Sequence, residues 1–250
     1  MILRVKNIEK SFGGIKALDG VSLDIKENTI VGLIGPNGSG KTTLINVISG
    51  FIPPERGSIE FNGRDISSKK PHQIAQLGLC RTFQLTRVFK RMTVLECMLL
   101  ASKTHYGGLL NLFINARELY QQQKVDVEKA RNILEALEIG HLENEYAKNL
   151  SGGQKKLLSL GMVKMAKPRL VLLDEPIAGV NPTLANKIFK KIEREKETTT
   201  FLVIEHNIDI LMDFCNEIYV MNKGNIIASG TPEEIQSNEN VIDVYLGDSC

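Results

Sequence analysis

The fold is decided by one stretch, Ile30-Val31-Gly32-Leu33-Ile34-Gly35-Pro36-Asn37-Gly38-Ser39-Gly40-Lys41-Thr42. Its first five residues are a continuous apolar run, which is typical of a strand buried on both faces of a parallel sheet. The residues that follow fit Gly-x-x-x-x-Gly-Lys-[Ser/Thr], and a helical pattern begins directly after them. A turn from strand to helix needs one or two glycines, not three with Lys-Thr at a fixed spacing. The position between strand and helix therefore favours a phosphate-binding loop over an ordinary glycine-rich turn.

The chemistry of this loop follows from its residue types. Glycines let the backbone wrap tightly, so that successive N–H groups point inward at phosphate oxygens. The helix that follows adds the positive end of its dipole. We expect Lys41 to contact the β- and γ-phosphates of a nucleotide and the Thr42 hydroxyl to bind Mg²⁺. The predicted nucleotide-binding residues of the loop are Gly35, Pro36, Asn37, Gly38, Ser39, Gly40, Lys41, Thr42 and Thr43.

Outward from the loop, the same strand-to-helix alternation recurs. Leu170–Leu173 and Phe201–Ile204 are further continuous apolar runs. Helical patterns follow them at Leu184–Glu195 and Ile208–Phe214, which indicates an α/β core with a mostly parallel sheet. The sequence therefore predicts a P-loop NTPase core.

Two other regions differ from this core. Alternating apolar and polar residues near 3–10, 21–25 and 58–62 predict half-buried antiparallel strands, the last ending on the hairpin signal Asn62-Gly63. The middle of the chain is helix-rich, and over Val125–Leu137 apolar residues recur at helical spacing, at Val127, Ala130, Ile133, Leu134 and Leu137. We expect one domain over 1–250, with a core at 1–91 and 168–250 and an inserted helical lobe at about 92–167.

A pair of carboxylates follows the second apolar run. Asp174 ends the run, at the sheet edge where ligands bind in open α/β folds, so it is a candidate ligand of Mg²⁺. Glu175 comes one residue later and could orient or deprotonate a water. An isolated Asp-Glu is as often a solvated turn, but the upstream phosphate-binding loop favours the catalytic interpretation.

Composition excludes several classes of protein. The chain has 250 residues, of which 42% are hydrophobic and 24% charged, so it is neither disordered nor fibrous. A net charge of +2 argues against a dedicated nucleic-acid binder. The four cysteines are widely spaced, which gives no zinc or redox motif and indicates reduced thiols.

No stretch reaches the ~18 apolar residues of a membrane span, and charges come too early for a signal peptide. We expect a protein that remains where it is made and reaches a membrane only through a partner.

One further motif narrows the family. Leu150-Ser151-Gly152-Gly153-Gln154 lies between the phosphate-binding loop and Asp174. Alone, it would be an ordinary capped helix start. Because this motif lies between the phosphate-binding loop and the Asp174-Glu175 pair, the chain resembles the ATP-binding subunits of ABC transporters. The resemblance covers essentially its whole length. The resemblance implies ATP as substrate, with Ser151, Gly152, Gly153 and Gln154 closing on the nucleotide held by a second ATPase subunit.

The resemblance also assigns roles residue by residue. Gln84 matches the glutamine that touches Mg²⁺, His206 matches the histidine that contacts the γ-phosphate, and Phe12 matches the aromatic residue that stacks on adenine. By themselves, His206 could be a solvated or capping histidine and Phe12 a core residue of the N-terminal hairpin. With Glu175 and Lys41, Gln84 and His206 complete the predicted catalytic set. Asn181 stands where most of the family has Asp, but the most similar subgroup also carries Asn there.

Several segments resemble the ATPases of branched-chain amino-acid importers. They are Ser11–Gly14, Arg81–Gln84, Met92–Glu96, Glu175–Gly179 and Val244–Gly247. The resemblance implies a second ATPase subunit, integral membrane permeases, an external solute-binding protein acting indirectly, and a peripheral place on the cytoplasmic face of the membrane. Import of urea, an amide or another solute remains an alternative. So does an ABC ATPase acting on nucleic acid or ribosomes, and so does a binding module that uses ATP only as a switch.

Overall fold

Two sheets account for the strands of the computed structural model, which describes residues 1–82, 91–102 and 116–246. The strands are β1 (Leu3–Phe12), β2 (Ile15–Ile25), β3 (Ile30–Ile34), β4 (Arg56–Phe61), β5 (Arg64–Asp65), β6 (Leu79–Arg81), β7 (Leu170–Asp174), β8 (Thr200–Ile204), β9 (Glu217–Asn222) and β10 (Asn225–Gly230). The α-helices are α1 (Lys41–Ile48), α2 (Pro71–Leu77), α3 (Val94–Leu100), α4 (Ala116–Ala136), α5 (Gly152–Met165), α6 (Pro182–Glu195), α7 (Ile208–Phe214), α8 (Pro232–Gln236) and α9 (Glu239–Leu246). Short 3₁₀ turns lie at Gly140–Leu142 and Ala147–Asn149.

The antiparallel sheet has the order β2-β1-β4-β5. Leu3 of β1 lies opposite Ile25 of β2 on one side and Phe61 of β4 on the other, and all three are buried. This is the face that the alternating pattern predicted. The hairpin predicted at Asn62-Gly63 is confirmed, since both residues have positive φ (53° and 72°) between β4 and β5.

The second sheet has the order β10-β9-β3-β8-β7-β6. Strands β3, β8, β7 and β6 run parallel, β9 is parallel to β3, and β10 is antiparallel to β9. Every residue of β3 and β8 is buried, as the continuous apolar runs predicted. The register pairs Leu33 of β3 and Asp174 of β7 each with Ile204 of β8. Parallel strands end at one edge of a sheet, so the loops after β3, β7 and β8 begin side by side.

The chain divides into two compact units. The first comprises residues 1–81, 169–178 and 185–250, and it contains both sheets. The second comprises residues 82–168 and 179–184. Among the described residues, no helix is both long enough and apolar enough to cross a membrane.

Helices α3, α4 and α5 form the second unit. The helical pattern expected here places Ala130, Ile133 and Leu134 of α4 in its interior. Gly161 of α5 leaves room for the Met98 side chain of α3, because a Cβ there would lie 3.0 Å from the Met98 sulfur. The unit is therefore a packed helical body with its own core.

Candidate nucleotide site

The loop between β3 and α1 is shaped by close backbone contacts. Gly40, the N-cap of α1, has φ +107°, and a Cβ there would lie 2.5 Å from the Ala17 carbonyl oxygen. A Cβ on Gly35 would collide with the carbonyl oxygen of Met221. The sequence therefore needs glycine at both positions, and Gly40 leaves the first turn of α1 without a side-chain cap. The amide groups of this turn are a suitable anion site.

The rest of the loop varies in exposure. Ser39 is buried, and its carbonyl oxygen accepts a hydrogen bond from the Gly224 amide at 3.0 Å. Asn37, Gly38 and Thr42 are exposed. Pro36 and Thr43 are partly buried. The backbone is thus fixed by the turn between β9 and β10, while Thr42 in the first turn of α1 is exposed.

Lys41 crosses the inside of the loop. Its side chain is buried, and Nζ donates to the carbonyl oxygens of Gly35 (2.8 Å) and Pro36 (2.9 Å). Burial lowers the pKa of Lys41, and the charges of Glu175 and Asp174 partly oppose that shift. Burial therefore destabilises the charged form of the Lys41 side chain, and its ammonium group donates mainly to neutral carbonyl oxygens. A phosphate anion in this loop would compensate that charge, so the residues present fit a nucleotide.

Asp174 ends β7 and is paired with an arginine. Arg81 Nη2 lies 2.8 Å from Asp174 Oδ2, and Arg81 Nη1 donates to Asn46 Oδ1 at 2.6 Å. Both charged side chains are mostly buried, with 13% of Arg81 and 24% of Asp174 exposed. From the sequence, Arg81 was noted only as part of the Arg81–Gln84 segment and was assigned no role. The oxygen donors of Thr42 and Asp174 are the type that Mg²⁺ prefers, so they fit that ion.

Glu175 and His206 are in direct contact. Glu175 Oε1 lies 3.0 Å from His206 Nε2. The Glu175 backbone has φ +49°, and its amide donates to the Ile204 carbonyl at 3.0 Å. A left-handed conformation is unfavourable for a residue with a Cβ and is common at functional sites. The structure thus brings together the carboxylate and the imidazole that were predicted to be catalytic.

The buried carboxylate of Glu205 hydrogen-bonds to the backbone beside this pair. Glu205 is 4% exposed; its Oε1 accepts from the Ile177 amide at 2.8 Å and its Oε2 from the His206 amide at 3.3 Å. The sequence analysis gave Glu205 no function. The only available signal was a charged residue directly after an apolar strand.

Ser151, Gly152, Gly153 and Gln154 begin α5 in the second unit. Ser151 and Gln154 form a reciprocal capping box, with the Gln154 amide donating to Ser151 Oγ at 3.3 Å and the Ser151 amide donating to Gln154 Oε1 at 2.8 Å. Ser151 and Gly152 are exposed, and nothing within 4 Å would meet a Cβ on Gly152. The helix start is therefore fixed by its own side chains and open to a ligand or partner.

The other residues singled out from the sequence are Phe12, Asn181 and Gln84. Phe12 is 47% exposed at the end of β1, with Lys10 Nζ 5.6 Å from its ring centroid. Asn181 accepts from the Leu184 amide at 2.9 Å and so caps α6. Gln84 lies outside the described residues.

Comparison with known proteins matches these observations to one family. The model of the family described as ABC transporter matches residues 18–178, and a model described as branched-chain amino acid ATP-binding cassette transporter matches residues 225–249. A probable branched-chain amino acid transport ATP-binding protein, LivG of Archaeoglobus fulgidus, is 44% identical over 98% of this chain and 95% of its own length. The protein of the same description from Methanocaldococcus jannaschii is 42% identical over 99% and 98%.

Solved structures give the same result. A nucleotide-free ATP-binding cassette from an ABC transporter superposes with a TM-score of 0.86 at 42% identity, over 98% of both chains. The ADP conformation of an ATP-binding cassette of an ABC transporter superposes with a TM-score of 0.85 at the same identity and coverage. The predicted α/β fold is therefore confirmed.

Proposed function

The chain belongs to the ABC transporter family of ATP-binding cassettes, and we propose that it hydrolyses ATP to drive import of branched-chain amino acids. The observation that carries the ATPase proposal is the contact of Glu175 with His206 at the sheet edge. Lys41 lies close enough for its pKa to respond to Glu175. An acid, a base and a phosphate-binding ammonium group are thus collected at one edge of the sheet.

In the proposed mechanism the phosphates of ATP bind the amides of the loop after β3 and the ammonium group of Lys41. Thr42 and Asp174 would hold Mg²⁺, which when bound supplies positive charge to the β- and γ-phosphate oxygens. Glu175 orients the attacking water and accepts its proton. His206 holds Glu175 in place and contacts the γ-phosphate. Gln84 as a further ligand of Mg²⁺ is proposed from the family resemblance alone.

The second half of the site comes from another subunit in this proposal. Ser151, which is exposed, and Gly153, which is partly buried, belong to a capped helix start of the kind that binds phosphate. A single chain with one phosphate-binding loop and one such helix start would pair with a second ATPase subunit, each closing the other's site. Phe12 would stack on the adenine, since its ring is accessible. When two ATPase subunits close on ATP, the helical lobe, proposed at about 92–167, would move, and the permeases would follow that movement.

The solute proposal depends on the relatives. Their names specify branched-chain amino acid transport, and the second family model covers the end of this chain. We therefore place the subunit peripherally at the cytoplasmic face of the membrane, on permease subunits served by an external binding protein. The alternative solutes are urea, amides or other small molecules, because the ATPase does not touch the solute.

Phosphate release tests the ATPase proposal. The purified chain, alone or with its partner subunit, should release phosphate from ATP with Mg²⁺ and stop when Mg²⁺ is chelated. Glu175→Gln should bind ATP and release phosphate about 10²- to 10⁴-fold more slowly. Glu193→Gln is a matched control, since it makes the same chemical change at an exposed position of α6. Unchanged turnover by Glu175→Gln would contradict the mechanism.

A further inference from the structure

Glu205 is a buried acid that the mechanism above does not use. It follows β8 directly and is 4% exposed, while half of the His206 side chain beside it is open to solvent. A carboxylate away from water is costly unless it accepts hydrogen bonds. It accepts hydrogen bonds from the amides of Ile177 and His206, and so joins the loop after β7 to the loop after β8.

These bonds close a ring around the catalytic pair. The Glu175 amide donates to the Ile204 carbonyl at 3.0 Å, and the Glu175 side chain contacts His206 at 3.0 Å. The Glu205 carboxylate holds Ile177, two residues after Glu175, and also the backbone of His206. Each member of the exposed pair is therefore fixed through a buried neighbour.

The conformation of Glu175 makes this support necessary. Its φ of +49° is unfavourable for a residue with a side chain. Such a conformation persists only where surrounding contacts determine it fully. The bond from Ile177 to Glu205 is the shortest of those that fix the backbone just after Glu175.

We propose that Glu205 is a positioning residue, which holds the Glu175 carboxylate against His206 without touching the substrate. The inference rests on the proposed function, because it gives Glu205 its effect through the catalytic pair. It predicts loss of kcat with little change in the KM for ATP, since the hydrogen bonds of Glu205 to the Ile177 and His206 amides act on the backbone of the catalytic pair.

The experiment compares Glu205→Ala, Glu205→Gln and a matched control, Thr200→Val. Thr200 is also fully buried and begins β8, the strand that Glu205 follows, and its Oγ1 accepts from the Asn28 amide at 3.0 Å. Glu205→Ala removes both acceptors, whereas Glu205→Gln keeps one oxygen for Ile177. We expect kcat to fall about 10- to 100-fold in Glu205→Ala and less in Glu205→Gln, with KM within about threefold.

A readout independent of turnover is the ¹H–¹⁵N spectrum of the His206 imidazole, assigned by its loss in His206→Gln. Glu175→Gln should shift the Nε2 signal, and Glu205→Ala should shift it too, while Thr200→Val leaves it unchanged. If Glu205→Ala does not fold, Glu205→Gln is judged by the same two measurements.

The outcomes separate the two proposals. If Glu205→Ala and Thr200→Val lose similar stability but keep wild-type kcat and imidazole signals, Glu205 is structural only and the inference is overturned. If the wild-type chain hydrolyses no ATP, the proposed function fails. The imidazole spectrum then decides the positioning role by itself.

Discussion

Replacing Glu175 by glycine or by alanine tests the backbone conformation at the carboxylate that we propose to be catalytic. At an ordinary position glycine is less stable than alanine by about 0.4–1 kcal/mol, because it frees the unfolded chain. At Glu175 the order should reverse. Its φ of +49° suits glycine and is strained for any residue with a Cβ.

The size of the reversal follows from this geometry. The left-handed conformation costs a residue with a Cβ about 1–2 kcal/mol, and glycine avoids that cost. Both variants lose the 3.0 Å contact to His206, so that loss cancels in the comparison. After subtracting the entropy term, Glu175→Gly should exceed Glu175→Ala in unfolding free energy by about 1 kcal/mol.

The assay is equilibrium urea and thermal unfolding of the nucleotide-free proteins. A difference of this size corresponds to a Tm about 2–4 °C higher for Glu175→Gly in a chain of this length. Both variants should hydrolyse ATP about 10²- to 10⁴-fold more slowly than wild type. If Glu175→Ala is equally stable or more stable, the left-handed backbone and the strain argument are wrong.

Three further predictions concern other parts of the site. Lys41→Met should weaken binding of fluorescent ADP about 10- to 100-fold in a titration, because it removes a charged donor. Since burial lowers the pKa of Lys41, the unfolded chain holds that proton more tightly. The unfolding free energy of wild type should therefore rise relative to Lys41→Met as pH increases toward 10.5, and parallel pH profiles would contradict the burial argument. Arg81→Lys cannot span both partners of the arginine, so it should lose about 1.5–3 kcal/mol in urea unfolding. The exposed Arg131→Lys is its control and should change little, and equal losses would count against a special role for the pair with Asp174. Ser151→Ala removes a helix cap and should cost about 1 kcal/mol. In a slow-hydrolysing variant, Ser151→Ala should also prevent the ATP-dependent dimer that we expect in gel filtration, and a dimer that still forms would argue against the composite site.

The sequence was sufficient for the main architecture because its signals are local. The run before Gly35 and the run that ends at Asp174 gave two central strands, and the structure confirms both. Periodicity gave α7 with the observed bounds and found the apolar face of α4. Strand β6 is three residues long, and the sequence analysis did not predict it.

Less of the site could be predicted from the sequence, because the contacts that support its residues join segments far apart in the chain. The pair Arg81 and Asp174 depends on β6 lying beside β7, which no local pattern reveals. The burial of Glu205 depends on the path of the loop after β7. Glutamate side chains are also usually exposed in proteins, so the burial of Glu205 runs against the expectation for its residue type.

We propose that ATP hydrolysis at Glu175 powers import of a branched-chain amino acid. The most direct test is uptake of labelled leucine by cells that lack this chain, complemented with wild type or with Glu175→Gln at equal abundance. Wild type should restore uptake, isoleucine and valine should compete while urea does not, and Glu175→Gln should fail to restore it. Full uptake with Glu175→Gln, or undiminished uptake without the chain, would contradict the proposed function.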